Sequence, residues 1–326
     1  MKSIRYLAKS LLLTLALVSG SATIAQTSEQ SQAAYERKDY KAAFTGFKRL
    51  AEQGDASAQF NLGLMYAKGT GVPKDDQQAL AWYRKAAEQG DARAQVSLGF
   101  MYTTGTGVPK DDQQALAWYR KAAAQGEALA QYNLGLMNAK GRGVPKDDQQ
   151  ALAWYRKAAE QGNALAQVNL GVMYDNGTGV PKDDQQAVAW YRKAAEQGNA
   201  LAQVNLGMMY ANGTGVPKDD QQALAWYRKA VEQGNAAGQQ ALGVMYANGS
   251  GVPKNEELAY FWWLLSSAQG NGSAVKNRDI VEKNLTPQQR ENAQESARNW
   301  KPKKLVVGSP ERVALSDPTD SQCQQG

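Results

Sequence analysis

The chain has 326 residues, 37 Lys and Arg against 31 Asp and Glu, no histidine, and a single cysteine, Cys323. That inventory excludes Ser-His-Asp and Cys-His triads, His-ligated zinc, cysteine clusters and any disulfide within the chain. With 43% hydrophobic and 21% charged residues, the composition is that of a folded sequence.

Lys2, Arg5 and Lys9 precede an apolar run from Leu11 to Val18 and the small-residue site Thr23-Ile24-Ala25. This is the order of a secretory signal peptide, so residues 1–25 are expected to be removed after Ala25, leaving a periplasmic or secreted protein. The run is too short to cross a bilayer as a helix, and no later stretch is apolar enough, so no membrane span is expected after cleavage. Loss of the three leader cations lowers the formal charge from +6 to +3. With both signs mixed in every repeat, no nucleic-acid partner is expected.

The tripeptide Val-Pro-Lys begins at Val72, Val108, Val144, Val180, Val216 and Val252, a period of 36 residues. Six units follow, over 55–90, 91–126, 127–162, 163–198, 199–234 and 235–270, and Asp39 to Gly54 matches the second half of one more. Within the first unit, Ala58, Leu62, Met65 and Tyr66 are spaced along one face of a helix from Asp55 to Lys68. Gly69 sits at its C-cap, and Gly71 and Pro73 keep the connection non-helical. Asp75 is placed to cap a second helix, with Gln78 as capping-box partner, and Ala79, Trp82, Tyr83 and Ala86 form its apolar side. Gly63 lies inside the first helix, where glycine costs about 1 kcal/mol relative to alanine. Its recurrence at Gly99, Gly135, Gly171, Gly207 and Gly243 predicts a close helix–helix approach. One hairpin cannot bury both apolar faces, whereas stacked hairpins share a continuous core.

The runs Ala58-Gln-Phe-Asn-Leu-Gly-Leu-Met-Tyr66, Gly69-Thr-Gly-Val72 and Ala79-Leu-Ala-Trp-Tyr-Arg-Lys-Ala-Ala-Glu-Gln-Gly90 resemble the Sel1-like repeat, a relative of the tetratricopeptide repeat with a longer connection between its helices. The resemblance covers roughly residues 35–270. It implies an all-α solenoid, a superhelix of 36-residue hairpins, acting as an adaptor or ligand-binding surface in an exported bacterial protein. It does not imply one shared ligand; the expected partner is a protein or extended peptide, and no cofactor is expected. Some exported members carry paired cysteines and are tied to β-lactam binding, which leaves a cell-envelope hydrolase as the alternative activity. A glycan-binding module is a third reading.

The ends differ from the interior. Residues 26–54 read as an N-terminal partial repeat, 55–270 as the six repeats, 271–300 as capping helices and 301–326 as a flexible tail. Where other units have Trp-Tyr-Arg-Lys-Ala-Ala, the last has Phe261-Trp-Trp-Leu-Leu-Ser266, which suits a face covered by further chain. Helices from about Val275 to Lys283 and from Pro287 to Asn299 are expected to supply the cover, the second with Thr286 and Gln289 as a capping box.

Asp75-Asp76 and its copies at 111–112, 147–148, 183–184 and 219–220 stand at predicted helix starts, where acids cap free N–H groups and complement the dipole. The Gly69-Thr70-Gly71 copies lack the Gly-Lys-Ser/Thr ending of a phosphate loop. The Trp-Tyr pairs recur at a fixed position and read as packing. Between units, the first helix varies most at repeat positions three, six, ten, thirteen and fourteen, which in the fourth unit are Leu165, Val168, Val172, Asp175 and Asn176. In tetratricopeptide repeats, the matching positions line a concave groove, and the resemblance gives Asn61, Asn133, Asn169 and Asn205 the role of pairing with a bound peptide. An apolar strip of Leu129, Tyr132, Leu136, Leu165, Val168, Val172, Leu201, Val204 and Met208 would border those asparagines. The competing reading packs positions six and ten between repeats. Replacing Trp154 is expected to be severe if its ring is fully buried, and replacing Trp300 less so.

Overall fold

A computed structural model describes residues 28–303. The signal-type leader, most of the tail and Cys323 lie outside these residues. Every regular element among the described residues is helical, and the repeat resolves into pairs of 13-residue helices. The chain divides into two compact units, Met1–Trp190 and Tyr191–Gly326, with the boundary inside one helix. The first unit stacks the hairpins α1 (28–36) with α2 (Tyr40–Glu52), α3 (Ala56–Lys68) with α4 (Asp76–Glu88), α5 (Ala92–Thr104) with α6 (Asp112–Ala124), and α7 (Ala128–Lys140) with α8 (Asp148–Glu160). It ends on α9 (Ala164–Asn176) and the start of α10 (Asp184–Glu196). The second holds α11 (Ala200–Asn212), α12 (Asp220–Glu232), α13 (Ala236–Asn248), α14 (Glu256–Ala268), α15 (Gly272–Val281) and α16 (Pro287–Asn299).

Local chemistry sets the helix ends. Asp55 Oδ1 accepts the Ala58 N–H at 2.6 Å, and Gly69 closes α3 in the left-handed conformation at φ 65°. Asp75 Oδ1 accepts the backbone N–H groups of Gln77 and Gln78 at 3.0 and 2.9 Å, so Gln78 takes part through its main chain. Asp111, Asp147, Asp183 and Asp219 repeat this cap. The following acid pairs with an exposed lysine, as in Lys74–Asp76 at 3.3 Å, a contact worth about 0–1 kcal/mol. The second glycine of the connection also has a contact role: a Cβ on Gly107 would stand 2.5 Å from the carbonyl oxygen of Asp76 in the preceding hairpin.

The expected close approach is at the helical glycines. A Cβ on Gly99 would stand 2.5 Å from the Tyr119 ring, and Gly135 meets Tyr155 and Gly207 meets Tyr227 in the same way. The tyrosine of each Trp-Tyr pair is therefore the buried one. Tyr119 is 1% exposed and Tyr155 3%, whereas the tryptophans are half-buried. Trp82 packs on Phe47, Leu50 and Leu62, and Trp118 on Tyr83 and Leu98, so each tryptophan joins its own hairpin to the one before. Lys85, Lys121, Lys157 and Lys229 hold their ammonium groups over the outer faces of Trp82, Trp118, Trp154 and Trp226, at 3.9–4.7 Å.

A buried glutamine at repeat position five ties three helices. Gln95 Nε2 donates to the Ala87 carbonyl of α4 at 3.1 Å, and its Oε1 accepts from Gln125 Nε2 at the end of α6 at 2.9 Å. Gln59 and Gln203 make both bonds, and Gln167 donates likewise to Ala159. Gln95→Ala removes both bonds between helices, while the Ala87 carbonyl keeps the Gly90 N–H and the Gln125 amide keeps the Gly90 carbonyl; at about 0.5–1.5 kcal/mol per bond it is expected to cost about 1–3 kcal/mol in urea denaturation followed by circular dichroism. In the second unit this pattern is altered at Gln239, whose Nε2 is buried without a partner, beside the exchange of two alanines for Val231 and Gly238.

At the C-terminal end Trp263 takes the tyrosine's place against Gly243 and donates its indole N–H to the Gln240 carbonyl at 3.2 Å. Phe261 and Trp263 are buried. Trp262 meets Trp300 edge-on, with ring centroids 6.3 Å apart. The first capping helix starts earlier than its apolar spacing suggested, at Gly272 with Asn271 as cap, while α16 carries the expected Thr286–Gln289 box.

Candidate ligand-binding face

The first helix of each hairpin is wrapped on several sides, and the positions at spacing i, i+4, i+7, i+11 stay at least half-open in every repeat. These are repeat positions three, seven, ten and fourteen. In the first unit they hold Ser57, Asn61, Leu64 and Lys68 on α3, Leu129, Asn133, Leu136 and Lys140 on α7, and Leu165, Asn169, Val172 and Asn176 on α9. Most of their side chains are half-buried, with the position-fourteen residues fully exposed. In the second unit Leu201 and Met208 of α11 are 45% and 44% exposed with Asn205 between them, and Val244 of α13 is 37% exposed.

Position six does not belong to that face. Val168 and Val204 are 3% and 5% exposed, and Val204 packs with Leu224, Tyr227 and Leu242. Tyr132 lies against the Tyr155 ring at 6.0 Å and Phe60 against Tyr83 at 5.7 Å. The proposed strip thus loses Val168 and Val204 to the core, and Tyr132 is largely committed to packing. The reason is lateral: position six points at the second helix, whereas positions three and ten point away from it.

Of the asparagines proposed to face a peptide, Asn133 is partly committed to its own helix. Asn133 Nδ2 donates to the Leu129 carbonyl of its own helix at 2.9 Å. Asn61 opens into a cleft of about 480 Å³ together with Ser57, Arg93 and, from α1, Glu29, Gln32 and Glu36. Arg93 is fixed there by Asp91 at 2.7 Å and by the Phe60 ring, and reaches Ser57 Oγ in the preceding hairpin at 3.2 Å. The α1 wall was not legible from the repeat, because residues 28–36 do not follow its pattern. A second cleft of about 580 Å³ is lined by Arg84, Tyr102, Pro109 and Trp118, where Arg84 donates to the Tyr102 hydroxyl at 3.0 Å.

Shifted titrations follow burial. Desolvation pushes the phenols of Tyr83 and Tyr119 up, and that of Tyr227 to about 12. The Lys254 ammonium, through its hydrogen bond, lowers Glu256 at the start of α14. Among the described residues no group of three or more His, Cys, Asp or Glu is arranged to hold a metal, and no helix is long and apolar enough to cross a membrane.

The profile of the Sel1 repeat matches residues 56–91, 92–127, 128–163, 164–199, 200–235 and 236–271, each window one residue later than the units read from Val-Pro-Lys. The chain belongs to the Sel1 repeat family. A Sel1 repeat protein from Oxalobacter formigenes is 39% identical, over 74% of this chain and 96% of that one, with a TM-score of 0.68. A protective antigen of uropathogenic Escherichia coli is 30% identical over 86% and 84% of the two chains, with a TM-score of 0.31. An immunity protein from Pseudomonas aeruginosa is 26% identical over 67% and 82%, with a TM-score of 0.42. No curated protein matches the chain. Sel1 repeats form α-solenoids that typically serve as protein–protein interaction modules and are generally scaffolds without catalytic activity.

Proposed function

We propose that this Sel1 repeat protein is an exported adaptor that binds a protein partner, as an extended peptide, on the open face of its first helices. The observation that carries the reading is the exposure of Leu201 and Met208 on one face of α11, with the Asn205 amide between them. Large aliphatic side chains left in water on a helix otherwise wrapped by protein are the apolar half of a binding site, and adjacent amides supply hydrogen bonds to a peptide backbone. Lysine ammonium groups stand over one face of Trp82, Trp118, Trp154 and Trp226, where a glycan ring would have to stack, which favours the peptide reading over the glycan one.

The test is in-cell crosslinking and capture with the wild type and a Leu201→Glu/Met208→Glu variant. The variant is expected to keep its helical signal and to lose at least tenfold in partner capture, because two charges would be desolvated against the ligand. Undiminished capture would move the site elsewhere. Export rests on the Lys2–Ala25 leader. Intact-mass measurement of the cellular protein is expected to find a chain beginning at Gln26 in the periplasm or medium, and a full-length cytosolic chain would remove that part of the reading.

A further inference from the structure

Two departures from the repeat meet at one junction of the second unit, between α12 and α13. Elsewhere the position-five glutamine of a hairpin donates its amide to an alanine carbonyl of the hairpin before it: Gln59 to Ala51, Gln95 to Ala87, Gln167 to Ala159 and Gln203 to Ala195, at 3.0–3.1 Å. Here Val231 stands in place of that alanine, and the alanine found at Ala166 and Ala202 is Gly238. A Cβ on Gly238 would stand 3.1 Å from Ala230 Cβ and 3.4 Å from Val231 Cγ2, so the valine branch fills the space that a methyl of α13 fills elsewhere. Gln239 keeps its bond from Gln269 at 2.9 Å, but its buried Nε2 has no partner among the described residues. A buried N–H without an acceptor favours any opening that lets water reach it.

The second departure is a crossing segment. The glycine that ends a hairpin is open on its outer side: a Cβ on Gly54, Gly90, Gly126, Gly162 or Gly270 would meet nothing within 4 Å. On Gly234 it would stand 3.4 Å from Pro302. Lys303, next to that proline, donates its backbone N–H to the Glu232 carbonyl at 2.8 Å and its ammonium to the Glu232 carboxylate at 2.6 Å. Glu232 is the last residue of α12, where helix carbonyls lack intrahelical donors, so Lys303 caps that helix from 71 positions away. Trp300 begins the crossing by packing into two clusters, one with Leu224, Tyr227 and Val231 and the other with Tyr260, Trp263 and Ala293.

We propose that Trp300–Lys303 is a latch, holding α13–α16 on α12 across a junction whose glutamine tie is missing, so that these helices open as one unit when it releases. An internal tie is thereby replaced by an exposed one that can come undone without disturbing the core. The latch needs no partner; only its consequence for binding rests on the function proposed above. A ligand lying across Met208 of α11 and Val244 of α13 contacts the closed junction alone and stabilises it.

The test is hydrogen–deuterium exchange of the full-length mature chain, read by peptide mass spectrometry, in the wild type and in Lys303→Pro. Proline removes the backbone donor and the ammonium together. Exchange over residues 235–299 is expected to rise at least fivefold in concert, with α11 and α12 changed less than twofold. Val231→Ala/Gly238→Ala rebuilds the pair found at Ala159 and Ala166, and in that background Lys303→Pro is expected to raise exchange less than twofold. An unchanged rate, a rise confined to α16, a rise spread evenly over the second unit, or an equal rise in the rebuilt background overturns the latch. A captured partner is expected to slow exchange over 235–299 at least fivefold, and a bound partner that gives no protection moves its site off this face and leaves the latch standing. A wild-type chain that captures no partner sinks the adaptor reading, with the latch still decided by Lys303→Pro alone.

Discussion

Tyr155→Ala is expected to cost about 3–5 kcal/mol in chemical denaturation, the range for removing a fully buried aromatic ring. Its ring fills the space left by Gly135, where even a single Cβ would stand 2.5 Å away, and it is 3% exposed. The hole cannot close by sliding the helices, because the next hairpin is tied to the same surface by the position-five glutamine and by its tryptophan. Trp154→Ala is expected to cost less, below about 3 kcal/mol, since its ring is half-buried against Leu134 and Tyr119 with Lys157 over its outer face. A larger loss at Trp154 than at Tyr155 would mean that inter-hairpin contacts, and not the glycine–tyrosine packing, dominate stability. Trp300→Ala, at the end of α16, is expected to fall below both.

Val168→Glu is expected to unfold its part of the protein, at a cost of roughly 4 kcal/mol or more. At 3% exposure the carboxylate has no water to reach. Four residues further on, Val172 lies on the half-open side, and Val172→Glu is expected to leave the helical signal and denaturation midpoint nearly unchanged. The pair separates core from surface on one helix. A folded Val168→Glu protein would return position six to the ligand-facing strip.

The helical repeat, its two helices per unit and nearly every helix end were legible in the residues. Caps and stops act within four residues of chain, so Asp55, Asp75 and Gly69 announce their roles locally. Gly63 and its copies announced a close approach because a glycine inside a helix needs a compensating contact. The capping helix α16 was legible for the same reason, through Thr286, Pro287 and Gln289. Helix α1 falls within the helical partial repeat expected over 26–54, but its partners were not legible, since residues 28–36 carry no repeat signature and are placed by packing, for instance Ser31 against Gly46.

What the sequence determined by itself is therefore the period, the hairpin and the set of residues that vary between copies. Only the tertiary structure decided which aromatic of each Trp-Tyr pair faces the glycine, and which variable positions are open. Neighbouring residues on a helix differ by about 100° in direction, so both members of the pair read as apolar-face residues until the second helix fixes the crossing. The first helix is packed by its own partner and by adjacent hairpins at once, and its apolar residues consequently surround most of its circumference. Amphipathic periodicity then no longer points to a single buried face. Val168 and Leu201 look alike in sequence, and it is the placement of the neighbouring helices that buries the first and leaves the second in water.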